Sequence, residues 1–165
     1  MANAALLPMK LSYQEGLYSG AVNYSTPEAA TQTYIDGALL VASGGNMQEC
    51  GANPTRIDGV SVGAAHNDAV AGTHNAMFTL PNDDIIYEVS IDKASAQGGA
   101  LAVLAQSDME TTIGVTKDSS GCWYVDVDKK AANQRMLLIA FPVWSPAGTV
   151  NGRVYAKFLS ANVIQ

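Results

Sequence analysis

The chain has 165 residues, with 15 acidic against nine basic side chains and a formal net charge of −6. Apolar residues make up 48% and charged residues 15%, a balance that excludes intrinsic disorder, and a chain of this length buries roughly 70% of its unfolded surface without disulfides or metal. No apolar run approaches the ~20 residues of a bilayer span, and no basic run exceeds Lys129-Lys130, so an integral membrane protein and direct nucleic-acid binding are not expected.

Residues 1–20 read as an N-terminal arm. Leu6, Leu7, Met9, Leu11, Tyr13 and Tyr18 make it apolar, yet no period of 2 or 3.6 emerges. Such a segment gains its order from neighbours. The opening Met-Ala-Asn-Ala-Ala-Leu-Leu-Pro has no charged start and no long apolar stretch, so no signal peptide is expected. Residues 21–95 then read as short strands: Thr31–Ile35, Ala38–Ala42, Asn46–Cys50, Ile57–Val62, Ala76–Leu80 and Ile85–Ile91. The last is the cleanest. Ile85, Tyr87, Val89 and Ile91 share one face, while Ile86, Glu88 and Ser90 take the other, as a half-buried strand requires. Ser25-Thr26-Pro27 is a helix-start signal for Glu28–Thr33, enough for a single turn. Asp36-Gly37, Gly44-Gly45-Asn46, Asn53-Pro54, Asp58-Gly59, Asn67-Asp68 and Pro81-Asn82 punctuate the series as turns.

Ala94-Ser-Ala-Gln-Gly-Gly-Ala100 is small and uncharged, the composition of a linker. Beyond it lie Thr111–Val115, Cys122–Val127, Met136–Phe141 and a strand through Val154, Ala156 and Phe158, again separated by turn residues. Cys122–Val127 alternates Trp123, Val125 and Val127 against Tyr124 and Asp126. Met136–Phe141 is apolar on both faces, as in a central strand. The reading is all-β: a small barrel or sandwich with an extended N-terminal arm (1–20) and two β lobes, 21–95 and 96–165, sharing one core or holding two. No internal sequence repeat emerges.

Chemistry-bearing patterns are sparse. His66 and His74, with Asp68, match no familiar metal spacing and read as loop residues that hydrogen-bond or face solvent. Asp83-Asp84 suits a turn cap better than a calcium site. Asp126 and Asp128 fall on one side of a strand, beside Lys129 and Lys130, and read as a solvated face. No G-x-S-x-G elbow, no cysteine with a patterned His and Asp, and no phosphate loop is present. Cys50 and Cys122 read as reduced, buried or half-buried thiols rather than a disulfide. Trp123 and Trp144, in strand settings, suit packing or an interface better than sugar stacking. The expectation is a non-enzyme with no catalytic set, metal or cofactor.

Two stretches carry a resemblance. Tyr34-Ile-Asp-Gly-Ala-Leu-Leu-Val-Ala-Ser-Gly-Gly-Asn-Met-Gln-Glu-Cys50, continuing to Ile57-Asp-Gly-Val-Ser-Val-Gly-Ala64, is similar to the strand, glycine turn and I-x-G-V-S/A passage of small β-barrel capsid proteins from tailed bacteriophages. Gly121-Cys-Trp-Tyr-Val-Asp-Val-Asp128, with Phe141-Pro-Val-Trp-Ser-Pro-Ala-Gly-Thr-Val-Asn-Gly-Arg-Val-Tyr-Ala-Lys-Phe-Leu159, resembles phage head decoration (cement) proteins. The resemblance implies a virion protein, made in a host cytoplasm, that docks on the outer capsid surface and bridges major capsid subunits, often as a homotrimer. The arm matches no motif of that family. On this reading Leu6, Leu7, Met9, Leu11, Tyr13, Tyr18 and Trp144 are the capsid-binding candidates, aromatic anchors being the usual carriers of interface energy. The alternatives are a tail-tube or head-fibre subunit and a carbohydrate-binding β-sandwich.

Overall fold

A computed structural model describes residues 10–12, 23–81, 85–96, 102–130 and 133–159. Among the described residues there are eleven strands: β1 (Lys10–Ser12), β2 (Asn23–Pro27), β3 (Leu39–Ser43), β4 (Asn46–Glu49), β5 (Gly59–Ser61), β6 (Asn75–Thr79), β7 (Ile86–Asp92), β8 (Thr112–Lys117), β9 (Trp123–Asp126), β10 (Gln134–Ala140) and β11 (Arg153–Phe158). The only helical pieces among the described residues are three-residue 3₁₀ turns. The protein is all-β, as its turn-punctuated short apolar runs require.

The strands form two sheets. One has the order β2-β6-β5-β3-β4, and the other β1-β7-β11-β10-β8-β9. The second closes into a ring, because β7 also pairs with β9 in parallel through Ser90↔Tyr124, Ile91↔Val125 and Asp92↔Asp126. The first closes through one parallel bridge, Glu28↔Met47, with the Ala29 N–H donating to the Met47 carbonyl at 2.8 Å. The two rings share one topology. In each, the first strand pairs with the fifth, the fifth with the fourth, the fourth with the second and the second with the third, all antiparallel; the third returns to the first in parallel. The change of sheet falls between Thr79 and Ile86, ahead of the 94–100 stretch whose composition suggested a linker. β1, from the N-terminal arm, adds to β7 of the second ring.

Local chemistry explains most elements. The β3–β4 hairpin turns on Gly44 and Gly45, with φ of +58° and +83°. A two-residue turn with both residues left-handed matches the twist of the flanking strands, and only glycine adopts it freely. Along β7, Tyr87, Val89 and Ile91 are buried while Ile86 and Glu88 are half-buried, as the alternation requires, but Ser90, expected on the outer face, is buried as well. Other expectations fail. Thr31–Ile35 is an irregular connection, since Thr31 takes φ +56° and its N–H is drawn to the Asp68 carbonyl at 2.6 Å. Glu28–Thr33 is not a helix start, because Pro27 and Glu28 are held by strand pairing. Val127 leaves its strand for a 3₁₀ turn (Val127–Lys129), capped by the Asp126 carboxylate, which accepts from the Asp128 N–H. In β10, Met136 and Leu138 are buried but Leu137 and Ile139 are only half-buried, so one face, not both, enters the core.

One hydrophobic core spans both rings, including Leu39, Leu40, Ile57 and Phe78 from the first and Tyr87, Ile113, Trp123, Met136 and Phe158 from the second. The Tyr87 and Phe158 rings meet edge-on at 5.2 Å. Polar groups stitch the seam. The buried Trp123 indole N–H donates to Glu49 Oε1 at 3.2 Å, and Lys117 Nζ lies 2.6 Å from Glu49 Oε2. Tyr87 and Thr79 hydroxyls are 3.3 Å apart. Cys50 and Cys122 are both buried and not joined in a disulfide; burial, reinforced by the Asp58 and Glu49 carboxylates, pushes the Cys50 thiol up to about 12, so it stays protonated and inert.

Two outcomes test this packing. A Cβ on Gly59 would lie 2.5 Å from Phe78 Cδ2, so Gly59→Ala is expected to destabilise the fold by about 1–3 kcal/mol in urea unfolding. Glu49→Ala strands the buried Trp123 N–H and is expected to lose about 1–3 kcal/mol, with both rings still unfolding in one transition.

Candidate functional site

Strand directions decide where the loops gather. Take the first strand of either ring as running upward. Antiparallel pairing then sends the fifth down, the fourth up, the second down and the third up. The first-to-second and fourth-to-fifth connections therefore both turn at the upper end. In each ring these two connections are fastened to each other. In the first, the Ala65 N–H donates to the Tyr34 carbonyl and the Gly72 N–H to the Glu28 carbonyl, each at 2.9 Å. In the second, the Gly148 N–H donates to the Leu104 carbonyl and the Asn151 N–H to the Ala102 carbonyl, also at 2.9 Å.

The β10–β11 loop is a built projection. Pro142 and Ser145 are buried, and between them Val143 is 99% exposed and Trp144 63% exposed. Ser145 holds the base: its N–H donates to the Pro142 carbonyl at 2.9 Å, and its Oγ accepts from the Arg153 N–H at 2.7 Å. A Cβ on Gly152 would sit 2.5 Å from that Oγ, so this close approach needs glycine. Below, the buried Arg153 guanidinium pairs with Glu88 at 2.7 Å and donates to Ser90 Oγ and the Glu88 carbonyl. Val150 is also exposed, and residues 142–151 carry no ionisable side chain. A large apolar side chain held in water on a hydrogen-bonded loop costs little entropy to bury against a partner.

The first ring's loop is anchored by a carboxylate. Glu28, 3% exposed, accepts from Tyr34 O–H at 2.8 Å, from the His66 backbone N–H at 3.0 Å, and lies 3.2 Å from His66 Nδ1. The His66 and His74 rings stack at 4.4 Å, and His74 Nδ1 bonds Asp68. Burial pushes the Glu28 carboxyl up, but the bonds from Tyr34 and His66 outweigh it and hold it below its ordinary value. The same carboxylate raises the Tyr34 phenol, after burial. Beyond these anchors the loop exposes Val62 and Val70, the latter by 69%.

Of the capsid-binding candidates, Trp144 is exposed and sits on a loop rather than the strand expected, because β10 ends at Ala140, ahead of Pro142, and β11 begins only at Arg153. Trp123, by contrast, is core. Leu11 lies on β1 opposite Tyr87. Leu6, Leu7, Met9, Tyr13 and Tyr18 lie outside the described residues, as do Asp83 and Asp84. The expectation of a solvated Asp126–Asp128 face holds for Asp128, which is exposed, and fails for Asp126. Asp126 is fully buried, its carboxylate accepting from the Ala94 and Asp128 N–H groups, and Lys130 pairs with Asp108 at 2.7 Å. Among the described residues no group of three or more His, Cys, Asp or Glu is placed to hold a metal ion, and no helix is long and apolar enough to cross a membrane. Trp144 was a candidate from the sequence, but its loop setting, its exposed neighbour Val143 and the buried Glu28 were missed: nothing in Pro27-Glu28-Ala29 signals a buried carboxylate.

The fold and site define a tandem all-β protein whose distinctive surface is a pair of fastened loops. Comparison with protein-family models, curated proteins and solved structures returned no match.

A pH titration tests the anchor. Glu28 has its ordinary carboxyl value, 4.5, when unfolded and a lower one when folded. Its contribution is therefore full above the unfolded value and lost as pH falls through the folded one. Glu28→Gln is expected to cost about 1.5–3 kcal/mol at pH 7 in urea unfolding, with the gap to wild type closing in acid.

Proposed function

We propose that this chain is a structural virion protein, a head decoration protein that binds the outer surface of an assembled phage capsid and bridges neighbouring major capsid subunits. The observation that carries the reading is the Val143-Trp144 projection, an apolar pair held in water by a hydrogen-bonded base. Such an aromatic is the side chain that anchors protein interfaces. The net charge of −6 supports an outer location, away from the packaged polyanion. Likeness of the 34–64 and 121–159 stretches to capsid and decoration proteins supplies the class of partner.

The mechanism needs no bond chemistry. Packaged DNA pulls capsid subunits apart. A clamp that prefers the expanded lattice stabilises it by its differential binding free energy. Trp144 supplies a central contact, and the arm residues Leu6, Leu7, Met9, Leu11, Tyr13 and Tyr18 add apolar ones. Homotrimeric association multiplies these contacts at a lattice three-fold.

Cosedimentation with expanded heads of the phage carrying this reading frame tests the proposal. Trp144→Ser is expected to cost about 2 kcal/mol, roughly 30-fold in affinity. Leu6→Ser with Leu7→Ser is expected to lower occupancy further. Unchanged occupancy in both variants, or failure of the wild type to bind, would overturn the reading.

A further inference from the structure

The β10–β11 loop has a counterpart. In the first ring the fourth-to-fifth connection is the β5–β6 loop, placed at the same end of the same strand order and fastened in the same way to the first-to-second connection. Exposure follows that equivalence. Of the seven exposed large apolar side chains among the described residues, Val62 and Val70 lie in the β5–β6 loop and Val143, Trp144 and Val150 in the β10–β11 loop; Tyr24 and Met77 lie on β2 and β6. The two bases are built from unrelated residues, Glu28 with His66 and His74 in one and Ser145 with Arg153 in the other. Two different sets of bonds thus hold the same connection with valine or tryptophan turned to water.

We propose that the protein is a two-headed binder, its β5–β6 and β10–β11 loops each occupying an apolar pocket on one of two adjacent copies of a single lattice protein. The inference rests on the decoration reading and assigns its contacts. A duplicated binding unit fits a partner that is itself repeated. Net charge −6 around loops that carry only Asp68 as an acid sets pockets with neutral or basic rims. Each loop alone buries few side chains. Once one has docked, the second meets its pocket at the high effective concentration set by the shared core, so head affinity exceeds single-subunit affinity by a factor on the order of 10²–10⁴.

The probes are expanded heads and the dissociated major capsid subunit of the same phage, and the proteins are full-length wild type, Val143→Ser/Trp144→Ser and Val62→Ser/Val70→Ser. Wild type is expected to bind heads at least about 100-fold more tightly than single subunits. Either loop variant is expected to bring head binding down to the single-subunit level, with its thermal unfolding unchanged. Loss of head binding only in the Val143/Trp144 variant would overturn the two-headed arrangement and leave the decoration reading standing. Subunit binding as tight as head binding, with both loops required, would likewise place both loops on one copy and overturn it. Indifference of head binding to both variants would overturn the arrangement alone, and failure of the wild type to bind heads would overturn the decoration reading with it.

Discussion

Closure of five strands through one parallel junction is the constraint from which the rest of the molecule follows. Hydrogen-bond ladders otherwise leave two open edges, which invite aggregation. Here the third strand returns beside the first, Glu28 against Met47 in one ring and Ser90–Asp92 against Tyr124–Asp126 in the other. A parallel return forces the third-to-fourth connection to cross the ring from end to end. The other long connections are thereby left together at the opposite end from the tight β3–β4 and β8–β9 hairpins. The clustering of loops is thus a consequence of topology, before any side chain is considered.

Each junction also has a buried carboxylate. Where two strands meet in parallel and then diverge, backbone N–H groups lose their ladder partners and must be satisfied otherwise. Asp126 does this in the second ring for the Ala94 and Asp128 N–H groups, while Glu28 in the first takes the His66 N–H of the neighbouring β5–β6 loop. Neither charge is buried alone: Tyr34 and His66 attend one, and Lys129, 3.4 Å away, attends the other. A buried carboxylate with such partners orders the loops around it, whereas the same charge unpaired would unfold them.

Strands were legible in the sequence wherever period 2 or a glycine turn marked them. The Ile85–Ile91 alternation and Gly44-Gly45 each located an element to within a residue or so. The duplicated topology was not legible, for a physical reason. Strand order is set by nonlocal pairing, and the two rings bury different side chains at their junctions while their connections differ in length. Asp126 misled because period-2 reasoning assigns a face without knowing that the strand ends there. Trp144 and Trp123 looked alike in sequence. Only the tertiary setting separates an indole bonded to Glu49 in the core from one turned to water between Pro142 and Ser145.

That separation bears on function. A fold under selection for stability alone would gain by burying Trp144, since an indole left 63% exposed forfeits transfer free energy on the order of 1–2 kcal/mol. The loop instead uses a buried serine, a glycine that tolerates its close approach and the buried Arg153 paired with half-buried Glu88 to keep the indole out. Rigid support of an apolar side chain in water stabilises nothing in the isolated chain. It lowers the entropy that association must overcome, and so its physical benefit appears only when a second surface covers it.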